Sequence, residues 1–444
     1  MNITENLISD IRSYSSRGFT QEEIHQLKRC VLDWLCVSWA GASVVGEKLN
    51  TFYYLSKEGK CSTFVSSGKT DLLTASFLNG FVAHVMELDD GHRFGMLHLG
   101  APIISSMVAL AQQEKLDFQH FAKGVISGYQ VAITIAKKIQ PHHKKCGFHA
   151  TGTCGMIGVA SAAALSMEFT DEQFQAALGA AVTHASGLLA AIDAPSSLKP
   201  YNIACAAEGG LRSAYIAKAG FIGPYDPIDG KRGFLKVFGP EMNVNLVSFD
   251  EVPEILNIYF KPYVSCRHCH APAEAAIKLR EKHIIPSDSI CEILVKTYRL
   301  AINGHDNNTV DSVEAAKMSI PYCAAVSLLK GSCGLDSFSL ELINDEKVKA
   351  LTKIVKVVED KELTLLSPEK RGAEVIVKTK DGFSYSEYVE NPLGEPEHPM
   401  SDQMLEEKYW DMVSFAGVDN HVAAKMISNI WNLEVEFNHF LELL

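Results

Sequence analysis

Apolar residues recur at intervals of three and four over most of the first 256 positions, the spacing that puts them on one face of a helix. Thr20 and Glu23 form a capping-box pair ahead of QEEIHQLKRCVLDWLCVSWAGA, which predicts a helix starting at residue 21. Thr70 and Asp71 can cap a second through LLTASFLNGFVAHVMEL. The same periodicity predicts helices near 103–114, 119–139, 153–168, 171–190 and 204–219. Several of these are built of small residues, as in GVASAAALS (158–166) and AALGAAVTHASG (176–187). Small side chains let helix axes approach closely, so this half predicts a tight helical bundle.

The pattern changes after about residue 257. Runs at 290–298, 353–359 and 373–379 alternate as strands do, and Asp381-Gly382 followed by FSYSEYV predicts a hairpin. Helical segments at 271–283 and 312–330 lie between them. The Pro- and Gly-rich passage NPLGEPEHP (391–399) then leads into a helical tail. The expected fold is mainly α: a large all-α domain (1–256 and 394–444) and a smaller α+β lid domain (257–393).

Composition narrows the function. The 444 residues carry 41 Lys and Arg against 53 Asp and Glu, a net charge of −12, with 47% hydrophobic and 21% charged residues. That balance fits a folded globular chain and leaves no basic block to displace phosphate counterions, so no nucleic-acid partner is expected. Uncharged stretches at 94–113, 150–167 and 174–192 are rich in Gly, Ala, Ser, Thr and His rather than Leu and Ile. They predict buried core helices rather than membrane spans. Eleven scattered Cys and a polar N-terminus predict free thiols in a reducing cytosol. There is no P-loop, no G-x-G-x-x-G after a strand and no G-x-S-x-G.

Five motifs remain that can carry chemistry. AHVMELDDGHRFGMLHLGAP (83–102) places Glu87, Asp89, Asp90, His92 and His98 around a helix end, where carboxylates beside imidazoles can transfer protons, bind metal or simply satisfy one another. His149 stands just before Thr151-Gly152-Thr153 at a helix start, a position that attracts anions. Lys199 is the one cation between 175 and 211 and precedes an Ala-rich helix, so it can meet an anion or lie solvated. Cys266, Cys269 and His270 spell C-x-x-C-H, the pattern of haem attachment, a redox dithiol or half a zinc site. Tyr322 follows Pro321 at the start of an apolar helix, as a core residue with a bonded hydroxyl or as a donor to substrate.

Taken in order, ELDD…H…GAP, GFHATGTCG, LKPYNIACAAEGG, FKPY…C…H, SIPY and NPLGEPEHPMSD resemble the MmgE/PrpD family along nearly the whole chain, with a bacterial homologue as the nearest expectation. Its members include 2-methylcitrate dehydratase, cis-aconitate decarboxylase and iminodisuccinate epimerase. The resemblance implies a homodimer without cofactor or metal, acting on a small di- or tricarboxylate at a site between the two domains. It implies catalytic roles for His98, His149, Lys199, Tyr322 and Glu87, and substrate contacts for Lys261, Cys266, Asp89, Gly91 and His270. Decarboxylation of cis-aconitate to itaconate is the leading expectation, with dehydration or epimerisation as alternatives and a haem or metal protein as a remote one. Four positions depart from the decarboxylase pattern: Glu87 for an Asp, Gly91 for a Thr, Cys266 for a His and Asn202 for a His.

Overall fold

The computed structural model describes residues 2–192, 196–240 and 252–444. The chain divides into two compact units. One comprises Met1–Ala191, Leu198–Ile258 and Ser401–Leu444; the other comprises Ile192–Ser197 and Tyr259–Met400. The architecture is mainly helical with one smaller α+β unit.

In the first unit the capping box forms as its sequence requires. Thr20 Oγ1 accepts from the Glu23 amide and Glu23 accepts from the Thr20 amide, opening a helix that continues to Leu55. Among the described residues this is the one helix long and apolar enough to cross a membrane. Its apolar residues from Leu27 to Val37 are buried inside this unit, as is the ion-paired Asp33 among them, while Lys28 and Arg29 are half-buried. Asp71 caps Leu72–Val85 by accepting from Leu73 and Thr74. Helices Phe118–Ile139 and Ala150–Ser166 pack against each other, and every residue of the second is buried. A Cβ at Gly158 would lie 2.9 Å from that of Ala132 and 3.0 Å from the Gly128 carbonyl, so the small-residue stripe lets these backbones touch. Each fully buried Leu, Ile or Val adds about 1.5–3 kcal/mol, which favours the core placement of the uncharged stretches 94–113 and 150–167. The stretch 174–192, expected there too, is buried only in its first half, and Thr183, His184, Ser186, Leu188 and Ala190 are exposed.

Three differences from the periodicity have physical causes. A hairpin of Glu58–Thr63 and Ser66–Thr70 was not predicted, because its strands are polar and carry no apolar alternation. The segment 171–190 forms a helix only to His184, and a short 3-10 turn, Leu189–Ile192, follows. The helix expected from 204 begins at Lys199, with Pro200 in its first turn, where proline costs nothing.

The tail Ser401–Leu444 forms three helices and returns to the first unit. Lys408, on the first of them, donates to Asp33 Oδ1 at 2.6 Å and to the Leu88 carbonyl at 2.7 Å, all buried.

The second unit holds a four-stranded sheet in the order Val355–Glu359, Ile290–Thr297, Ala373–Thr379, Ser384–Val389. The first pair is parallel and the others are antiparallel. Asp381-Gly382 makes the last turn, with Gly382 at φ +89°. Helices His270–Lys282 and Ile320–Lys330 pack together in the same unit. The helical stretch 312–330 is broken at Ser319, whose hydroxyl caps the second piece. The NPLGEPEHP passage belongs to this unit. The Gly394 carbonyl accepts from the Phe260 amide, and Arg267 donates to the Pro392 and Leu393 carbonyls and to Glu395. These bonds carry the edge of the unit to Met400.

Candidate active site

The first unit gathers acids and imidazoles from three elements. The helix Leu72–Val85 ends with His84 in its last turn, and Glu87 follows in the left-handed region at φ +55°. The helix Ala150–Ser166 starts after His149, and the helix Lys199–Lys218 starts with Lys199.

Lys199 Nζ lies 2.5 and 2.6 Å from the two carboxylate oxygens of Glu87, both groups mostly buried. An ammonium at a helix N-terminus faces the positive end of the dipole, and the Glu87 carboxylate offsets that cost.

His84 is fully buried. Its Nδ1 donates to Asp89 Oδ2 at 2.7 Å, leaving Nε2 to carry the lone pair. Nε2 makes no hydrogen bond among the described residues and lies 3.8 Å from Glu87 Oε1. His98 stands edge-on to it, with ring centroids 5.0 Å apart. His98 Nδ1 donates to the Asp90 carbonyl at 2.5 Å and lies 3.6 Å from Asp89 Oδ2, which leaves Nε2 as the exchanging nitrogen. The His98 amide is held by Thr151 Oγ1.

His149 is held at both ends. Its amide donates to the Gly187 carbonyl, and its Nδ1 accepts from Asn202 Nδ2 at 3.3 Å. A second Asn202 N–H bonds the Leu188 carbonyl, which fixes the amide and therefore puts the His149 proton on Nε2. Burial first, then the charge of Lys199 and the nearby His84 and His98, hold this imidazole well below its ordinary pKa, with Glu87 opposing. It is neutral at pH 7. Gly152 keeps the helix start close to the next loop: a Cβ there would lie 2.5 Å from the Ser186 carbonyl.

Two neighbours belong to the scaffold. Asp90 accepts from the Leu99 and Gly100 amides and from Tyr129, and burial with nearby Asp33 pushes its pKa up to about 7. His92, grouped with this cluster by sequence, turns away to Glu254 Oε2 at 3.3 Å while its Nδ1 accepts from Gly95. Gly91 beside it is buried. Asp89, expected at substrate, is engaged with His84. Sequence reasoning missed His84, which stands among apolar residues on a helix patterned as a core element.

Among the described residues, His84, Asp89 and His98 have ligand atoms within 4.8 Å of one another and could hold a metal ion. The His84–Asp89 and His98–Asp90 hydrogen bonds already occupy one nitrogen of each ring.

In the second unit, Lys261 is fully buried. Tyr322 is buried too, its hydroxyl donating to the Ser337 carbonyl at 2.6 Å, which is the environment of the core-residue alternative. His270 has both ring nitrogens engaged, Nε2 with the Ser265 carbonyl at 3.2 Å and Nδ1 with Arg267 at 2.9 Å. Cys269 is buried. The C-x-x-C-H segment therefore does not present a haem or metal ligand set, because its imidazole is spent inside the fold. Cys266 is half-buried, with Sγ 3.2 Å from His305 Nε2.

Comparison with known proteins adds two findings. The MmgE/PrpD N-terminal domain matches residues 6–246 and the MmgE/PrpD C-terminal domain matches residues 263–432. The chain is 25% identical to the cis-aconitate decarboxylase of Homo sapiens, over 97% of this chain and 92% of that protein. It is 25% identical to that of Mus musculus, over 92% and 86%, and 27% identical to that of Aspergillus terreus, over 87% and 84%. These relatives are animal and fungal, where the motifs suggested a bacterial homologue.

Proposed function

The chain belongs to the MmgE/PrpD family, and from that premise we propose that it is a lyase that decarboxylates cis-aconitate to itaconate without a cofactor. The observation that carries the reading is the convergence of His84, His98, His149 and Lys199 on one cluster in a chain similar over nearly its full length to decarboxylases of that name.

The reaction needs a cation for carboxylate, a proton donor for carbon and a site where developing charge is met by groups already in place. Lys199 supplies the point charge, exchanging Glu87 for a substrate carboxylate. The neutral His149, with its proton fixed on Nε2, donates a hydrogen bond toward the same anion and needs no reorganisation to do so. The proton for carbon comes from solvent by way of His98, whose Nε2 takes it up before the step and delivers it, with the Asp89-oriented His84 beside it. As the carbon–carbon bond to the leaving carboxylate breaks, its electron pair forms the new double bond. The old double bond takes a proton at its far carbon.

Lys261 as a second carboxylate contact and Tyr322 as a proton relay remain part of this proposal, as do a homodimer and a cytosolic setting. Relay through Tyr322 requires its hydroxyl to leave Ser337. Tyr322→Phe and Lys261→Met test these roles by kcat and KM, and light scattering tests the dimer.

The deciding experiment is proton NMR of the enzyme mixed separately with cis-aconitate, 2-methylcitrate and iminodisuccinate. Itaconate signals from the first support the proposal. Loss of the tertiary alcohol of the second, or solvent deuterium at the α-carbon of the third, with cis-aconitate unchanged, would replace it with dehydration or epimerisation.

A further inference from the structure

The second unit carries a thiol–imidazole pair to which the steps proposed above assign no bond-making role. Cys266 Sγ lies 3.2 Å from His305 Nε2, and His305 Nδ1 donates to the Asn303 carbonyl at 2.9 Å. That second bond fixes the tautomer, so Nε2 offers its lone pair to the thiol. The imidazole cannot swing away. It is buried, its backbone amide and carbonyl are bonded to Ile302 and Ile320, and the ring of His268 stands edge-on at 5.0 Å. Nucleophile, base and orienting acceptor thus stand in line, the arrangement that activates a cysteine.

The surroundings favour the thiolate further. Arg371 is buried and interacts electrostatically with Cys266. Tyr259 and Tyr298 also feel its charge, both held neutral by burial. Cys266 is partly open to solvent, unlike the buried Cys269, Cys323 and Cys333 nearby in sequence or fold.

We propose that Cys266 and His305 form a nucleophilic site that adds to α,β-unsaturated carboxylic acids and related anionic carbon electrophiles. In the step, the Sγ proton passes to His305 Nε2 and sulfur bonds to the β-carbon. The π pair moves to the α-carbon, where the imidazolium returns the proton to give a thioether. Nothing is oxidised or reduced. Arg371 supplies the positive charge that selects an acid.

The molecule contains its own control. Cys146 also has an imidazole beside it, with Sγ 3.3 Å from His142 Nε2, but that pair is exposed and His142 has no orienting acceptor among the described bonds. Cys291 is exposed and, among the described residues, bonds the Lys378 carbonyl. Peptide mass mapping after limited labelling of the native protein with iodoacetate at pH 7 should find Cys266 modified ~10-fold faster than Cys146 or Cys291. Iodoacetate should gain on iodoacetamide at Cys266 relative to Cys291. Monomethyl fumarate should leave its adduct mass on the Cys266 peptide. His305→Gln should slow labelling of Cys266 ~10-fold and leave Cys291 unchanged. If that variant loses its cooperative melting transition, the wild-type pH profile decides. Labelling of Cys266 should stay level below pH 7, whereas labelling of Cys291 should climb as pH rises through the same range. Equal rates at the three cysteines, or parallel pH profiles, would overturn the site. Iodoacetate labelling without a fumarate adduct would overturn its assignment to unsaturated acids.

Discussion

Lys199 and Glu87 meet as a two-oxygen ion pair, its atoms 2.5 and 2.6 Å apart, at the start of one helix and just past the end of another. The cation proposed to hold substrate therefore begins with an internal anion. A substrate carboxylate must take the place of Glu87, so part of its binding energy goes into breaking this pair.

Glu87→Gln separates the two roles. With the internal competitor neutral, KM for an anionic substrate should fall ~10-fold, about 1.4 kcal/mol, while kcat drops because the charge balance around His149 changes. Steady-state kinetics on the substrate identified by NMR would show it. An unchanged KM would place the pair off the substrate's path.

His149→Ala should reduce kcat by ~10²-fold or more with little change in thermal melting, since the ring is replaced at a helix start whose backbone bonds remain. Asn202→Leu is the subtler case. It removes the donor that fixes the proton on Nε2, so kcat should fall while circular dichroism stays the same. Wild-type kcat in the His149 variant would remove that residue from the mechanism.

His143 gives a pH prediction whose sign can be worked out. Burial holds its imidazole down from 6.5 to about 4, although Nε2 bonds Thr153 Oγ1 and the ring stacks on Phe148. Between those values the unfolded chain binds a proton that the folded chain does not. Its contribution is complete above pH 6.5 and is lost as pH falls toward 4, by ~3 kcal/mol in all. Asp90 works the other way: its raised pKa means stability is lost as pH rises from 3.8 to about 7. The measurement is therefore the difference between His143→Gln and wild type in urea unfolding at each pH. That difference should favour the variant progressively below pH 6.5, and a constant difference would contradict the assignment.

Lys408→Met should destabilise the fold by ~3–5 kcal/mol, because Asp33 would keep a buried charge with its partner gone. Adding Asp33→Asn should recover much of that loss in denaturant melts. Failure of the second change to help would mean the ammonium matters mainly to the Leu88 carbonyl.

Much of this was legible in the sequence because the signals are local. Thr20-Glu23, Asp71 and Asp381-Gly382 each specify a cap or turn by their own chemistry, and the helices and hairpin follow. His149 and Lys199 could be found because each stands alone beside an apolar helix start. His84 could not, since it lies among FVA and VM on a helix with every mark of a core element. Only the fold shows its Nδ1 against Asp89. The Glu58–Thr70 hairpin was hidden for the opposite reason, lacking the apolar alternation that betrays a strand. His92 illustrates a third limit: spacing put it with Asp89 and Asp90, but its partner Glu254 lies 162 positions away.

The bond from Lys408 to the Leu88 carbonyl spans 320 positions and reaches the peptide between Glu87 and Asp89. During synthesis on the ribosome, then, the acidic loop is made early but cannot be braced until the closing helices have emerged from the exit tunnel. A chain that stopped short of Lys408 would keep most of the first unit's core but leave the Leu88 carbonyl and Asp33 without their buried ammonium.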